Sequence, residues 1–514
     1  MKRRLAGVLL HPTSLPGRFG IGDLGPDADV FLDWAKAAGQ SLWQVLPVGP
    51  VGVGGSPYVG GSVFAGNPLL ISPERLRQDG LLKRADLERA PRFPDSRVDF
   101  DAVERWKLSV LREAWVRFGS RASPEMENRY RAFLDSPEHR EWLPGWAMFA
   151  ALKERYRGAE WRLWDSAVRR RDPAALLEVA AELRVEIEYH AFVQFLFYEQ
   201  WDRVREAAHA RGIEIFGDVP IYVALDSADV WENPQLFQLD EDLAPIAVSG
   251  VPPDYFSETG QLWGTPLYDW HRHEADGFDW WIRRLRIELR KVDLVRLDHF
   301  RGFQAYWSVP ATARDAREGR WEPGPDIRLF RALEGALGEL PLVAEDLGDI
   351  NDDVRGLRDV LGLPGMRVLQ FGLGHPESEH HPSHVPEHCV VYTGTHDNDT
   401  ARGWLQSLAP EERDRVLADL GAPASESGPR RSDPSWEMVR VAHETKAERV
   451  VVPIQDVIGL GSEARMNTPA LAKGSWSFRM SPSALRAEHA DRLAALTERT
   501  GRRAPSKAGA VRLP

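Results

Sequence analysis

One cysteine, Cys389, stands in 514 residues. That scarcity excludes an intramolecular disulfide framework and the small stapled secreted folds that depend on one. Long apolar runs are missing too, and nothing approaches the roughly eighteen residues of a membrane span. Positive charge is in deficit: 65 Lys and Arg against 77 Asp and Glu leave a formal net charge of −12. Nucleic-acid binding relies on clustered Lys and Arg that displace counterions, so a phosphate-backbone partner is not expected and a neutral or cationic ligand fits better. At the N-terminus a basic flank precedes an apolar stretch over residues 5–10, which His11-Pro12 interrupts; this is too short for a signal core. The sequence shows no internal repeat, low-complexity tract or heptad run. The expectation is a soluble cytoplasmic protein with no membrane or nucleic-acid partner, present as a monomer or weak oligomer.

What the chain does have is a series of continuous apolar runs of the kind that parallel strands buried on both faces produce. Eight are visible, at residues 7–11, 42–48, 213–223, 292–300, 342–345, 366–372, 389–395 and 450–457, each with helix-like sequence before the next. Eight is the count of a (β/α)8 TIM barrel, and barrels with insertions reach this length as one unit. The expected architecture is an α/β protein with a single catalytic barrel over residues 1–502 and no separate C-terminal β-sandwich domain. A charged, helix-rich insertion falls at about 99–210, a Pro/Gly-rich covering loop at 233–266, and a basic tail at 503–514. Nineteen tryptophans serve equally as core filling and as flat faces for sugar rings.

Several of these runs end in a carboxylate, and a parallel barrel keeps its chemistry at the C-terminal ends of its strands. The fourth reads Asp293-Leu-Val-Arg296-Leu-Asp298-His299. Alternation puts Arg296 and Asp298 on one face and Asp293 on the other. An arginine two residues before an acid on the same face orients and ionises it, which suits a nucleophile but is also how a buried ion pair looks. Glu345 ends the fifth run after Leu342-Val-Ala, where apolar neighbours would raise its pKa, as a general acid requires. Asp346 reads as a cap for the next helix. Asp397 lies in Thr393-Gly-Thr-His396-Asp397-Asn-Asp-Thr400, a composition that also makes an ordinary turn. Acids from three strands converging on one pocket suffice to cut and remake a glycosidic bond.

Together the three strands resemble the α-amylase superfamily. The segments Gly7-Val-Leu-Leu-His-Pro-Thr-Ser-Leu-Pro, Ser56-Pro-Tyr58, Phe64-Ala-Gly-Asn-Pro, Gly217-Asp-Val-Pro-Ile-Tyr-Val, Phe256-Ser-Glu-Thr-Gly-Gln261-Leu-Trp263-Gly and Gly461-Ser-Glu-Ala-Arg-Met-Asn467 are similar to the amylomaltase family, glycoside hydrolase family 77. The resemblance runs from about residue 5 to 502. It implies a 4-α-glucanotransferase with Asp298 as nucleophile, Glu345 as acid/base and Asp397 as transition-state stabiliser. It further implies that Arg296, His299 and His396 hold the sugar in the cleavage subsite and that Tyr58 stacks on its ring. Asp218 would support that subsite, the loop carrying Asp254, Gln261 and Trp263 would cover the groove, and Asn467 would join the same cleft. The pattern departs at Val53 and Gly60-Gly61, where relatives carry aromatic and polar residues, and at Ser475 before Trp476, where Asn is usual.

The implied reaction passes a segment of a 1,4-α-glucan, such as a maltooligosaccharide, amylose or glycogen, to the 4-hydroxyl of glucose or another glucan through a covalent intermediate. It needs no metal and no cofactor. An α-amylase-like hydrolase on the same barrel differs in whether reducing ends accumulate. A non-catalytic glucan binder has no use for an acid on each of three strands, and a metal-dependent barrel hydrolase would need paired first-strand histidines that are absent here.

Overall fold

The computed structural model describes residues 3–253, 257–421, 433–469, 471 and 474–502. Eight parallel strands form one sheet: β1 (Leu5–Leu9), β2 (Leu42–Gln44), β3 (Glu214–Val219), β6 (Leu294–Leu297), β9 (Leu342–Ala344), β10 (Gly365–Val368), β11 (Cys389–Tyr392) and β12 (Arg449–Pro453). Neighbours follow chain order, and β1 pairs with β12 as well as β2, so the sheet curls back on itself. Closure between β9 and β10 rests on Ala344 N–H donating to Pro364 O at 2.9 Å. Asp346 reinforces it. Rather than capping the following helix, which Asn351 does by accepting from Val354 N–H at 3.1 Å, Asp346 is buried, accepts from Met366 N–H at 2.7 Å and pairs with Arg358 and Arg367. Gly365 allows this approach, because a Cβ there would stand 2.4 Å from an Asp346 oxygen.

Observed strands are shorter than the apolar runs. Past each C-terminal end the backbone leaves the ladder to build site loops, and the eighth run divides between β12 and a helix over Ile454–Ile458. Periodicity cannot separate a buried strand from a short buried helix. A second sheet is antiparallel, ordered β5-β4-β7-β8, from β4 (Ala247–Val251), β5 (Gln261–Pro266), β7 (Ala305–Pro310) and β8 (Arg320–Pro323). The segment read as a loop at 233–266 thus carries two strands. A further pair, between the fourth and fifth barrel strands, lies where only helix was expected.

Long helices fill residues 100–210. Asp99 caps Phe100–Arg121 by accepting from Ala102 N–H at 3.1 Å, and Ser123 caps Pro124–Asp135 by accepting from Met126 N–H at 3.2 Å. Both are ordinary N-cap bonds that satisfy otherwise orphaned amides. The helix Arg184–Ala210 delivers the chain to β3 and buries Phe192, Phe195, Phe197 and Trp201 against the core. It also carries two buried glutamines that hold the segment after β2. Gln194 accepts from Gly66 N–H at 2.7 Å and donates to Gly66 O at 3.1 Å; Gln200 does the same for Ser72 at 2.6 and 3.3 Å. Gly66 lies so close to the helix that a Cβ would stand 1.9 Å from the Phe197 ring. Among the described residues, no helix is long and apolar enough to cross a membrane.

Replacing Gln194 with leucine keeps the volume but leaves the Gly66 amide and carbonyl buried without partners. At about 1–3 kcal/mol for each of these two unsatisfied groups, the variant is expected to lose about 2–6 kcal/mol. Chemical denaturation should show a clearly lower midpoint; an unchanged midpoint would mean that the clamp is dispensable.

Candidate active site

The C-terminal ends of β3, β6, β9 and β11 bring Asp218, Asp298, Glu345 and Asp397 to one end of the barrel. At their centre is Arg296, 5 % exposed. Its Nη1 lies 2.8 Å from both Asp218 oxygens, and its Nη2 lies 2.8 Å from Asp298 Oδ1. Arg296 and Asp298 therefore share a strand face. Asp293, on the other, is taken up at the opposite end of β6 by His209, Arg205 and the Ile215 amide.

Glu345 is 8 % exposed and accepts two backbone amides, His299 N–H at 2.7 Å and Leu347 N–H at 3.0 Å. Burial pushes its carboxyl up to about 8; Arg296 and the two amides pull the other way, while Asp298 adds to the rise. His299, which donates that amide, adopts left-handed backbone, φ +52, a conformation uncommon outside glycine. Burial also lowers the His299 imidazole to about 4, so the ring is neutral. The Trp263 ring, on the exposed edge strand β5, meets it edge-on at 4.8 Å, and Gln261 accepts from Trp263 Nε1 at 3.3 Å.

On the opposite side of Arg296, Tyr58 donates its hydroxyl to Asp218 Oδ2 at 2.8 Å. Burial first, and then the charge on Asp218, raise the Tyr58 phenol well above its ordinary range, so it stays a donor. Burial also raises the Asp218 carboxyl, and Arg296 opposes that rise. The Tyr58 ring stacks on His396 at 5.1 Å and 16°. Next to it, His396 Nε2 is 3.4 Å from Asp397 Oδ1, which accepts from Asn467 Nδ2 at 2.6 Å. The turn carrying this pair is closed by Asn398 Oδ1, which accepts from Thr395 N–H and Oγ1, both at 2.9 Å. Asx-turn chemistry and a site carboxylate therefore occupy the same few residues.

Of the residues singled out in the sequence, Tyr58, Asp218, Arg296, Asp298, His299, Glu345, His396, Asp397 and Asn467 form one connected cluster, with Gln261 and Trp263 over it. Asp254 lies outside the described residues. Val53, at a departure from the family pattern, is 91 % exposed. Three neighbours carried no separate signal in the sequence. Arg465 donates to Asp397 O at 2.6 Å and to Asn467 O at 2.7 Å. His11, at the end of β1, is buried and lowered to about 3 by that burial and by His396. Trp476 packs on Tyr58 and His396. Both His11 and Arg465 stand in segments that resemble the family, but only proximity reveals their neighbours. Among the described residues, no group of His, Cys, Asp and Glu is arranged to hold a metal ion.

A family model described as 4-alpha-glucanotransferase matches residues 10–485. A 4-alpha-glucanotransferase of Thermus thermophilus is 46% identical over 505 residues, covering 97% of this chain and 99% of that protein. One from a Synechocystis species is 45% identical over 509 residues, covering 98% and 99%. Among solved structures, the amylomaltase of Streptococcus agalactiae in complex with acarbose superposes with a TM-score of 0.93 at 34% identity, covering 98% of this chain and 100% of that one.

A carboxyl held near pH 8 when folded and at 4.5 when exposed binds more protons in the native state between those values. Its favourable contribution is complete below pH 4.5 and lost as pH rises through about 8. Glu345→Gln cannot ionise. Its stability relative to the parent should therefore rise with pH across that window, by at most roughly 1.4 kcal/mol per pH unit, in thermal unfolding followed from pH 4 to 9. A difference that stays constant with pH would mean that Glu345 titrates at its ordinary value.

Proposed function

The chain belongs to the 4-alpha-glucanotransferase family and is an enzyme of that activity, and we propose that Asp298, Glu345 and Asp397 carry its chemistry. The observation that carries this reading is the contrast between two neighbouring acids. Asp298 is paired with Arg296 at 2.8 Å and 27 % exposed, whereas Glu345 is buried, bound to two amides and held protonated up to about pH 8. Environments that separate a pair of carboxyls in this way define a nucleophile and a general acid.

In the first step an Asp298 oxygen bonds to the anomeric carbon of the donor as the glycosidic C–O bond breaks. The Glu345 proton passes to the departing 4-oxygen, and the reducing-end fragment leaves. In the second step Glu345, now ionised, takes the proton of an incoming 4-hydroxyl, whose oxygen replaces Asp298 at the same carbon. Two inversions retain the α configuration. Asp397, held by Asn467 and His396, accepts hydrogen bonds from ring hydroxyls in this reading as the sugar flattens. Tyr58 supplies a flat face for the ring, and His299 is a neutral donor beside it. Trp263, with Asp254 nearby in sequence, would close over the acceptor side, where excluding water favours transfer over hydrolysis. Donors would be maltooligosaccharides, amylose or glycogen, and acceptors glucose or short maltooligosaccharides. Both polymers, and the lone reduced thiol of Cys389, suit a cytoplasmic setting.

Incubation with maltotriose should yield glucose and a ladder of longer maltooligosaccharides with little net gain in reducing ends and no loss on adding a chelator. A steady rise in reducing ends without longer products would identify a hydrolase instead. A slow-releasing fluorinated glucosyl donor should label Asp298, as located by peptide mass spectrometry, and Asp298→Asn should abolish both label and transfer while the fold persists. Labelling of Asp293 or Asp397, or transfer by the Asp298→Asn enzyme, would overturn the double displacement.

A further inference from the structure

Two side chains at the site sit on left-handed backbone, His299 at φ +52 and Trp476 at φ +66. The first aims an amide at Glu345. The second has no such bond to the acids, although this backbone region costs a residue with a Cβ on the order of 1 kcal/mol. A half-buried indole in that conformation is therefore held there by its surroundings. Trp476 N–H donates to Met466 O at 2.6 Å, and Ser475 Oγ accepts from Thr468 N–H at 3.2 Å. The ring packs against Tyr58 at 5.5 Å and 40° and against His396 at 5.8 Å and 35°. These two are themselves stacked, so three rings touch pairwise. The loop that presents Trp476 also supplies Asn467 to Asp397 Oδ1.

We propose that Trp476 is a positioning residue that braces Tyr58 and His396, fixing the ring cluster on which the donor glucose unit is seated. This deepens the proposed function and rests on it. The physical basis is that Tyr58 has one polar anchor, its hydroxyl on Asp218. A single hydrogen bond at the tip of a phenol leaves the ring plane free to rock. Two further ring contacts remove that freedom, and aromatic pairs of this kind contribute beyond their buried area. Backbone strain at Trp476 is the cost of presenting the indole at that angle. Among the described residues, no hydrogen bond joins Trp476 to Asp298 or Glu345, so its main effect falls on donor binding, with a smaller part reaching Asp397 through His396.

The test compares Trp476→Phe, which keeps a ring, with Trp476→Asn, which tolerates left-handed backbone and removes it. Each is assayed with maltotriose, alone and combined with Tyr58→Ala. The Asn variant should raise KM about tenfold or more with kcat within about threefold, and the Phe variant should stay within about threefold of the parent in both. Because Trp476 acts in part through Tyr58, the Asn and Ala changes together should raise KM by clearly less than the product of their separate effects. If the Asn variant fails to fold, Trp476→Leu, which keeps bulk without a flat ring, takes its place with the same expectations. A parent-like KM, a fall in kcat at constant KM, or fully additive KM effects would overturn the proposal. Transfer by Asp298→Asn would overturn the site assignment instead, so the two failures are distinguishable.

Discussion

The site depends on one buried guanidinium. Arg296 contacts both oxygens of Asp218 and one oxygen of Asp298, all at 2.8 Å, and it cannot lose its charge. Removing one partner from a buried pair of this kind leaves an uncompensated charge and costs about 3–5 kcal/mol, so the geometry of two neighbouring strands, β3 and β6, is tied to one side chain. From Asp218 the order passes to the Tyr58 hydroxyl, from the Tyr58 ring to His396, and from His396 to Asp397. On the other side Arg296 opposes the burial that raises Glu345. The acids are thus distinguished by where each stands relative to this one cation.

Barrel and insertions divide the work. Short parallel strands, whose backbone is paired on both edges, hold Asp218, Arg296, Asp298 and Glu345 with little freedom, which is what a reaction sensitive to fractions of an ångström needs. The residues proposed to meet the changing substrate stand on less confined segments. Tyr58 lies on a loop whose downstream continuation is clamped by Gln194 and Gln200, and Trp263 lies on an edge strand. The site also stores unfavourable terms. A carboxyl is buried and kept protonated near neutrality, and two large side chains occupy left-handed backbone. Such features persist only where the surrounding fold over-determines them.

Much of this was legible along the chain. Strand-end position and period-two alternation separate Asp298 from Asp293, which the structure places at opposite ends of β6. The apolar triplet before Glu345 anticipates its raised pKa. Asp397 was ambiguous by itself, because a turn and a catalytic carboxylate use the same residue types, and here one segment supplies both an Asx turn and a carboxylate of the cluster. Asp346 was misread as a helix cap: the one-residue offset that turns it from Glu345 also buries it between β9 and β10, where it meets Met366, Arg358 and Arg367. The strands of the small sheet at 305–323 carried no signal distinct from helix.

What the sequence by itself determined was the set of eight buried strands, the acids at their ends and the family to which their motifs belong, since each is written in contiguous residues whose periodicity and chemistry are local. Only the tertiary structure decided which side chains touch. Tyr58 reaches Asp218 across 160 positions, Gln194 reaches Gly66 across 128, and Asn467 reaches Asp397 across 70. Such pairs form because barrel closure brings distant loops to one rim, and no local pattern encodes that distance. The contacts of Trp476 belong to the same class: its ring has partners, and its strained backbone a reason, only once folding has brought it against Tyr58 and His396.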